Sequence, residues 1–131
     1  MAPRVLSLFS GIGGIDLGLE RAGCRTVCQV EIDPFCVKVL ERNFPDARRF
    51  TDVRSFDGTA WRGAVDVVAG GFPCQDISVA AVNSARDGLR GSRSGLWSAM
   101  RTIAAAQRPE WVVVENVAHG VKPAQAAHSA R

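Results

Sequence analysis

The chain has 131 residues, 47% of them hydrophobic, and a formal net charge of +3, carried by basic residues that are all arginine except Lys38 and Lys122. That length fits one domain able to bury about two-thirds of its surface, and no apolar run approaches the length of a membrane span, so a soluble cytoplasmic protein without membrane contact is expected. Cys24, Cys28, Cys36 and Cys74 lack the CxxC spacing of a zinc site and only two histidines accompany them, which argues for reduced thiols and against a bound metal.

Arg4 to Phe9 is predicted as the first strand, followed by the turn Ser10-Gly11-Ile12-Gly13-Gly14 and a helix from Ile15 to Ala22 with Ile15, Leu19 and Ala22 on its buried face. Gly23 suits the end of that helix. Strand, glycine turn and helix together make a unit in which backbone can approach a nucleotide-like ligand at a helix N-terminus. The dinucleotide fingerprint GxGxxG is not met, because Asp16 stands where its third glycine belongs. Thr26 to Glu31 is predicted as a second strand ending in an acid twenty residues after Gly11, the spacing at which a carboxylate reaches a ribose hydroxyl pair. Asp33 caps a helix that starts at Pro34 and runs to about Asn43, where Pro45 prevents its continuation.

Arg48 to Phe50 forms a short third strand, and Asp52 behind it is a candidate ligand contact. Residues 65–70 read as a buried fourth strand that stops at Gly70-Gly71. Pro73 then stiffens the support of Cys74 and pushes Phe72 towards an extended conformation. The segment 76–94 shows no strong period and carries Arg86, Arg90 and Arg93, which fit a phosphate backbone and a solvated surface equally well. A helix is predicted from Gly95 to Gln107, capped by Ser94, with Leu96, Met100 and Ile103 facing the core. Trp111 to Glu115 is predicted as a fifth buried strand, and residues 118–131 as a poorly ordered tail.

Strands alternating with helices predict a parallel α/β sheet whose ligands sit beyond the carboxyl ends of the strands. Gly11 to Gly14, Glu31, Asp52, Cys74 and Glu115 all fall at those ends. No histidine is placed to activate Cys74 as in a cysteine protease. A thiolate can instead add to carbon 6 of a cytosine ring while a carboxylic acid protonates ring nitrogen 3, which turns carbon 5 into a nucleophile towards a methyl donor. Cys74 and Glu115 suit these roles, and the base must leave its duplex to meet them.

With those residues in place, the chain resembles the N-terminal part of the DNA cytosine-5 methyltransferase family, which uses S-adenosylmethionine. Six motifs in family order cover residues 4 to about 117. Residues 8–14 are similar to the cofactor-binding motif, including Phe9, Ser10, Gly11, Gly13 and Gly14. Glu31-Ile32-Asp33 resembles the motif whose acid holds the ribose and whose next residue packs on adenine, and Asp52-Val53 the motif that contacts the adenine amino group. Residues 71–78 resemble the catalytic motif, which implies Cys74 as nucleophile, Pro73 and Gln75 beside it, Phe72 near the cofactor and Ser78 near DNA. Arg93 to Trp97 resembles the motif at the methionine end of the cofactor, with Leu96 in contact, and Glu115-Asn116-Val117 the motif that supplies the ring-protonating acid.

The resemblance implies a Rossmann-like S-adenosylmethionine-dependent methyltransferase sheet, incomplete at its C-terminal edge, in a partial catalytic domain spanning residues 1–117. It implies double-stranded DNA as substrate, contacted by Ser78, Arg86, Arg90 and Arg93, within a restriction-modification setting in a prokaryotic or phage-like cytosol. The family's target-recognition part has no counterpart here, so little activity is expected of the chain alone, and the fifth strand is expected to form an apolar exposed edge. Three readings stay open: a cofactor-binding remnant, one half of a split enzyme completed by a second chain, and an RNA cytosine-5 methyltransferase with the same residues.

Overall fold

A computed structural model describes residues 1–71 and 94–115. Its five strands are β1 (Arg4–Leu8), β2 (Arg25–Val30), β3 (Arg48–Phe50), β4 (Val67–Gly70) and β5 (Trp111–Val114), and its helices are α1 (Gly14–Arg21), α2 (Pro34–Asn43) and α3 (Ser94–Gln107). All strand pairs are parallel, in the order β3-β2-β1-β4-β5. The chain runs outwards from β1 through β2 to β3, then crosses back to lay β4 on the other side of β1. That reversal opens a crevice at the carboxyl ends, the place where ligands bind in open α/β sheets.

The central strands read as apolar runs because both of their faces are covered. Val5, Leu6, Leu8, Val68 and Ala69 are all fully or almost fully buried. On one face Met100 and Ile103 of α3 join Leu6, Leu8, Cys28, Val30 and Val68 in the main core, as the period of α3 predicts. On the other face Ile15 and Leu19 of α1 pack on Val5, Val67 and Ala69. A short 3-10 turn at Gly58–Trp61, absent from the sequence expectation, packs on α3: a Cβ on Gly58 would meet the Ile103 backbone at 3.3 Å.

Helix ends follow local chemistry. Asp33 accepts from the Cys36 backbone N–H at 3.0 Å and Pro34 occupies the first turn of α2, as expected. α1 ends in a paired cap, with Gly23 at φ +96° donating to the Glu20 carbonyl and Cys24 donating to that of Leu19. Two expectations are corrected. Ala22 lies in that cap and is exposed, leaving Asp16 as the buried residue of α1. β5 is not buried: Trp111, Val112, Val113 and Val114 are 64%, 50%, 38% and 42% exposed, because among the described residues β4 alone pairs with it and both faces stay bare. The expectation of an apolar exposed edge is met there.

Cys28 of β2 is buried in the main core, and desolvation pushes its thiol up to about 12, against the opposing charge of Arg48. At the amino end of the sheet, Arg4 grips Asp66. Its Nε donates to Oδ2 and its Nη2 to Oδ1, both at 3.0 Å, while its backbone N–H donates to Oδ2 at 2.8 Å. Those hydrogen bonds hold the Asp66 carboxyl at about 2, below its ordinary value. The folded chain therefore binds this proton less readily than the unfolded one, and the stabilisation is present above the unfolded pKa of about 3.9 and lost as pH falls through the folded value. Asp66→Asn is expected to lower the melting temperature at pH 7, with the gap to wild type closing as the pH is taken from 4 to 2; parallel thermal melts check this.

Candidate functional site

The crevice holds a cavity of ≈ 310 Å³ lined by Phe9 behind β1, Val30, Glu31 and Ile32 at the end of β2, Thr51 to Arg54 behind β3, Gly71 behind β4 and Leu96 of α3. Four strand ends and one helix converge on it. Phe9 takes φ +52°, a left-handed conformation that a bulky side chain adopts only when its surroundings enforce it. The strained residue begins the turn that brings Gly11 to Glu31.

Glu31 is the hinge of the site. One oxygen accepts the Gly11 backbone N–H at 2.7 Å and the other accepts that of Asp33 at 2.8 Å. A carboxylate has about four acceptor positions, so each oxygen keeps one for a ligand hydroxyl. Asp52 accepts the Arg54 backbone N–H at 2.9 Å, which fixes its carboxylate at the cavity wall. Ile32 projects beside it and is 69% exposed. The set suits a ligand with paired hydroxyls, a flat apolar ring and hydrogen-bond donors at the ring edge.

The glycine turn approaches its neighbours closely. Gly13 takes φ +93°, and a Cβ there would stand 2.5 Å from the Phe44 ring and 3.1 Å from Leu40. Beneath the turn lies a buried polar run. Ser10 Oγ donates to the Ser7 carbonyl at 3.1 Å and lies 2.9 Å from Ser7 Oγ, and Ser7 Oγ donates to Asp16 Oδ2 at 2.8 Å. Gln29 Nε2 donates to Asp16 Oδ1 at 3.0 Å, and Arg49 Nη1 donates to Gln29 Oε1 at 3.1 Å and to the Phe44 carbonyl at 2.7 Å. Burial pushes the Asp16 carboxyl up, and the hydrogen bonds from Gln29 and Ser7 counter it.

Of the residues expected to hold a cofactor, Phe9, Glu31, Ile32, Asp52, Val53 and Leu96 line one cavity. Gly11 supports it through Glu31, Gly13 precedes α1 and Gly14 begins it, and the Ser10 hydroxyl bonds Ser7 instead of lining the cavity. Thr51, Arg54, Val30 and Gly71 were not anticipated, though each adjoins an anticipated residue in sequence. Glu115 lies just past β5, its backbone N–H donating to the Gly70 carbonyl at 3.1 Å. Its carboxylate hangs over Gly71, 2.8 Å from where a Cβ would stand. Phe72, Pro73, Cys74, Gln75, Ser78, Arg86, Arg90, Arg93 and Asn116 lie outside the described residues. Among the described residues no cluster of three or more His, Cys, Asp or Glu side chains could hold a metal, and no helix is long and apolar enough to cross a membrane.

A parallel sheet ordered 3-2-1-4-5 with a glycine turn and an acid at the ends of its first two strands defines a Rossmann-like α/β fold. The model of C-5 cytosine-specific DNA methylases matches residues 3–128, and the chain belongs to that family. It is 42% identical over 118 residues to the Type II methyltransferase M2.BsuMI of Bacillus subtilis, covering 87% of this chain and 29% of that protein. To M.Eco47II of Escherichia coli it is 40% identical over 114 residues, covering 86% and 27%. A crystal structure of a prophage-encoded DNA modification methyltransferase of E. coli superposes with a TM-score of 0.75 at 27% identity, covering 96% of this chain and 35% of the other. The chain thus spans less than a third of the length of the curated relatives named here.

Gly13→Ala combines a left-handed backbone with contact against Phe44, and is expected to destabilise by about 2 kcal/mol or more. Gly18, inside α1 with open space around it, gives the contrast: Gly18→Ala should stabilise by about 0.5–1 kcal/mol. Urea unfolding of the two variants beside wild type measures both.

Proposed function

We propose that this chain carries the S-adenosylmethionine pocket and the base-activating residues of a DNA cytosine-5 methyltransferase. The observation that carries the reading is Glu31, held by the glycine turn on one side and by Asp33 on the other, with acceptor capacity left towards the cavity. Glu31 would bind the ribose hydroxyls, Ile32 and Phe9 would pack on the adenine, Asp52 would accept from its amino group, and Leu96 would lie nearer the methionine part. When bound, this cofactor supplies the methyl group.

The remaining chemistry belongs to side chains at the ends of β4 and β5. The Cys74 thiolate adds to carbon 6 of cytosine, forming a carbon–sulfur bond, while Glu115 delivers a proton to ring nitrogen 3. The electron pair released into the ring makes carbon 5 nucleophilic. After methylation a base removes the proton from carbon 5, the carbon–sulfur bond breaks to regenerate the thiolate, and ring nitrogen 3 returns its proton to Glu115. Glu115 stands over Gly71, at the strand end that leads into the Cys74 segment, which supports pairing these two residues in one step. Pro73, Gln75 and Asn116 would orient them. Ser78, Arg86, Arg90 and Arg93 would meet the DNA backbone as hydrogen-bonding and cationic groups. Since the relatives are more than three times as long as their match to this chain, selection of a DNA sequence is assigned to parts they carry beyond it.

Calorimetric titration with S-adenosylmethionine tests the pocket. Wild type should bind, and Glu31→Ala should weaken binding about tenfold or more through lost charge-assisted hydrogen bonds. Equal affinity of the two would remove Glu31 from the ribose role. In a transfer assay with labelled S-adenosylmethionine and cytosine-containing DNA, supplemented with a candidate second chain, Cys74→Ser should abolish methylation while keeping wild-type cofactor affinity. Wild-type rates in that variant would refute the nucleophile.

A further inference from the structure

The buried run beneath the glycine turn takes no part in the proposed chemistry, yet Ser10 and Gln29 stand beside cavity residues in the chain. Asp16 and Gln29 are 0% exposed, Ser7 2% and Ser10 8%. Arg49 sets the direction of the whole run. A guanidinium only donates, so Gln29 must turn its oxygen to Arg49 and its NH2 to Asp16. Asp16 therefore receives one hydrogen bond from Gln29 and a second from the Ser7 hydroxyl. A carboxylate, with two acceptor oxygens, satisfies both donors at once. An asparagine at position 16, its oxygen kept on Gln29, would turn its NH2 to Ser7 Oγ, reverse the hydroxyl bond between Ser7 and Ser10 and remove the buried charge.

Three members also stand within three residues of the cavity lining. Ser10 lies between Phe9 and Gly11, Gln29 precedes Val30 and Glu31, and Arg49 is three residues from Asp52. Arg49 holds the Phe44 carbonyl as well, and the Phe44 ring is the surface against which Gly13 rests. The turn is thus supported at Ser10 through Ser7 and at Gly13 through Phe44, and Asp16 and Arg49 join the two supports by way of Gln29.

We propose that Asp16 is a positioning residue for the cofactor pocket, its carboxylate fixing the glycine turn against the ends of β2 and β3 through Ser7 and Gln29. The proposal rests on the cofactor reading given above. It separates from a purely structural role by affinity measured on folded protein. The test is calorimetry with S-adenosylhomocysteine on wild type, Asp16→Asn and Val65→Ala, at a temperature where circular dichroism shows each variant folded. Val65 is a buried core residue just before β4, at the end of the sheet away from the cavity, and serves as the stability control.

Asp16→Asn is expected to weaken binding about fivefold or more, and Val65→Ala to stay within about twofold of wild type. Affinity of Asp16→Asn within about twofold of wild type overturns the proposal, as does equal weakening in both variants. Should Asp16→Asn fail to fold, Ser7→Ala, which removes one of the two donors to Asp16, carries the test: weaker binding upholds the proposal and unchanged binding overturns it. A folded wild-type chain that binds no S-adenosylhomocysteine refutes the cofactor reading itself and this inference with it, an outcome separate from the variant-specific ones.

Discussion

A carboxylate enclosed by protein must find donors, and the one on Asp16 decides how α1 lies on the sheet. Its desolvation is opposed by Ser7 from β1 and Gln29 from β2, with the Arg49 charge one hydrogen bond further on. The first turn of α1, where Asp16 sits, adds the favourable end of the helix dipole. Apolar packing of Ile15 and Leu19 holds the helix on its face of the sheet without specifying how far along it lies. The directional bonds supply that information. From the placement of α1 follows the turn ahead of it, and from the turn follows the bond between Gly11 and Glu31 that shapes the cavity rim.

Features governed by neighbours in sequence were legible. The Asp33-Pro34 start of α2, the glycine that ends α1 and the apolar faces of α3 depend on contacts within a few residues or on a short period. The parallel sheet was legible too, because alternating strands and helices leave few other arrangements. Asp16 was not. In sequence it is an acid in the place of a glycine, and its partners are 9 and 13 residues away on two different strands. The exposure of β5 was half legible: four apolar residues in a row look buried, and only the count of strands beside them shows that they are not.

The cavity shows the same division. Glu31 and Asp52 could be named from strand ends and from family resemblance, and both line the cavity with a backbone N–H on each carboxylate. What the sequence withheld is how the backbone around them is held. Phe9 enters a left-handed conformation and Gly71 stays bare under the Glu115 carboxylate, and both are responses to neighbours that only the fold assembles.

The two edges of the sheet are unlike. β3 is a strand of three residues carrying Arg48 and Arg49, with the Arg48 guanidinium over the rings of Phe50 and Trp61 at 5.6 and 5.9 Å. A short, charged edge resists a further strand. β5 presents Trp-Val-Val-Val with no charge inside it and no partner on its outer side among the described residues. Stickiness on one side only has a stoichiometric consequence. Two such chains joined edge to edge would use up both open strands and leave an arginine-bearing rim at either end, so that association through this sheet would stop at a pair and could not propagate into a fibre.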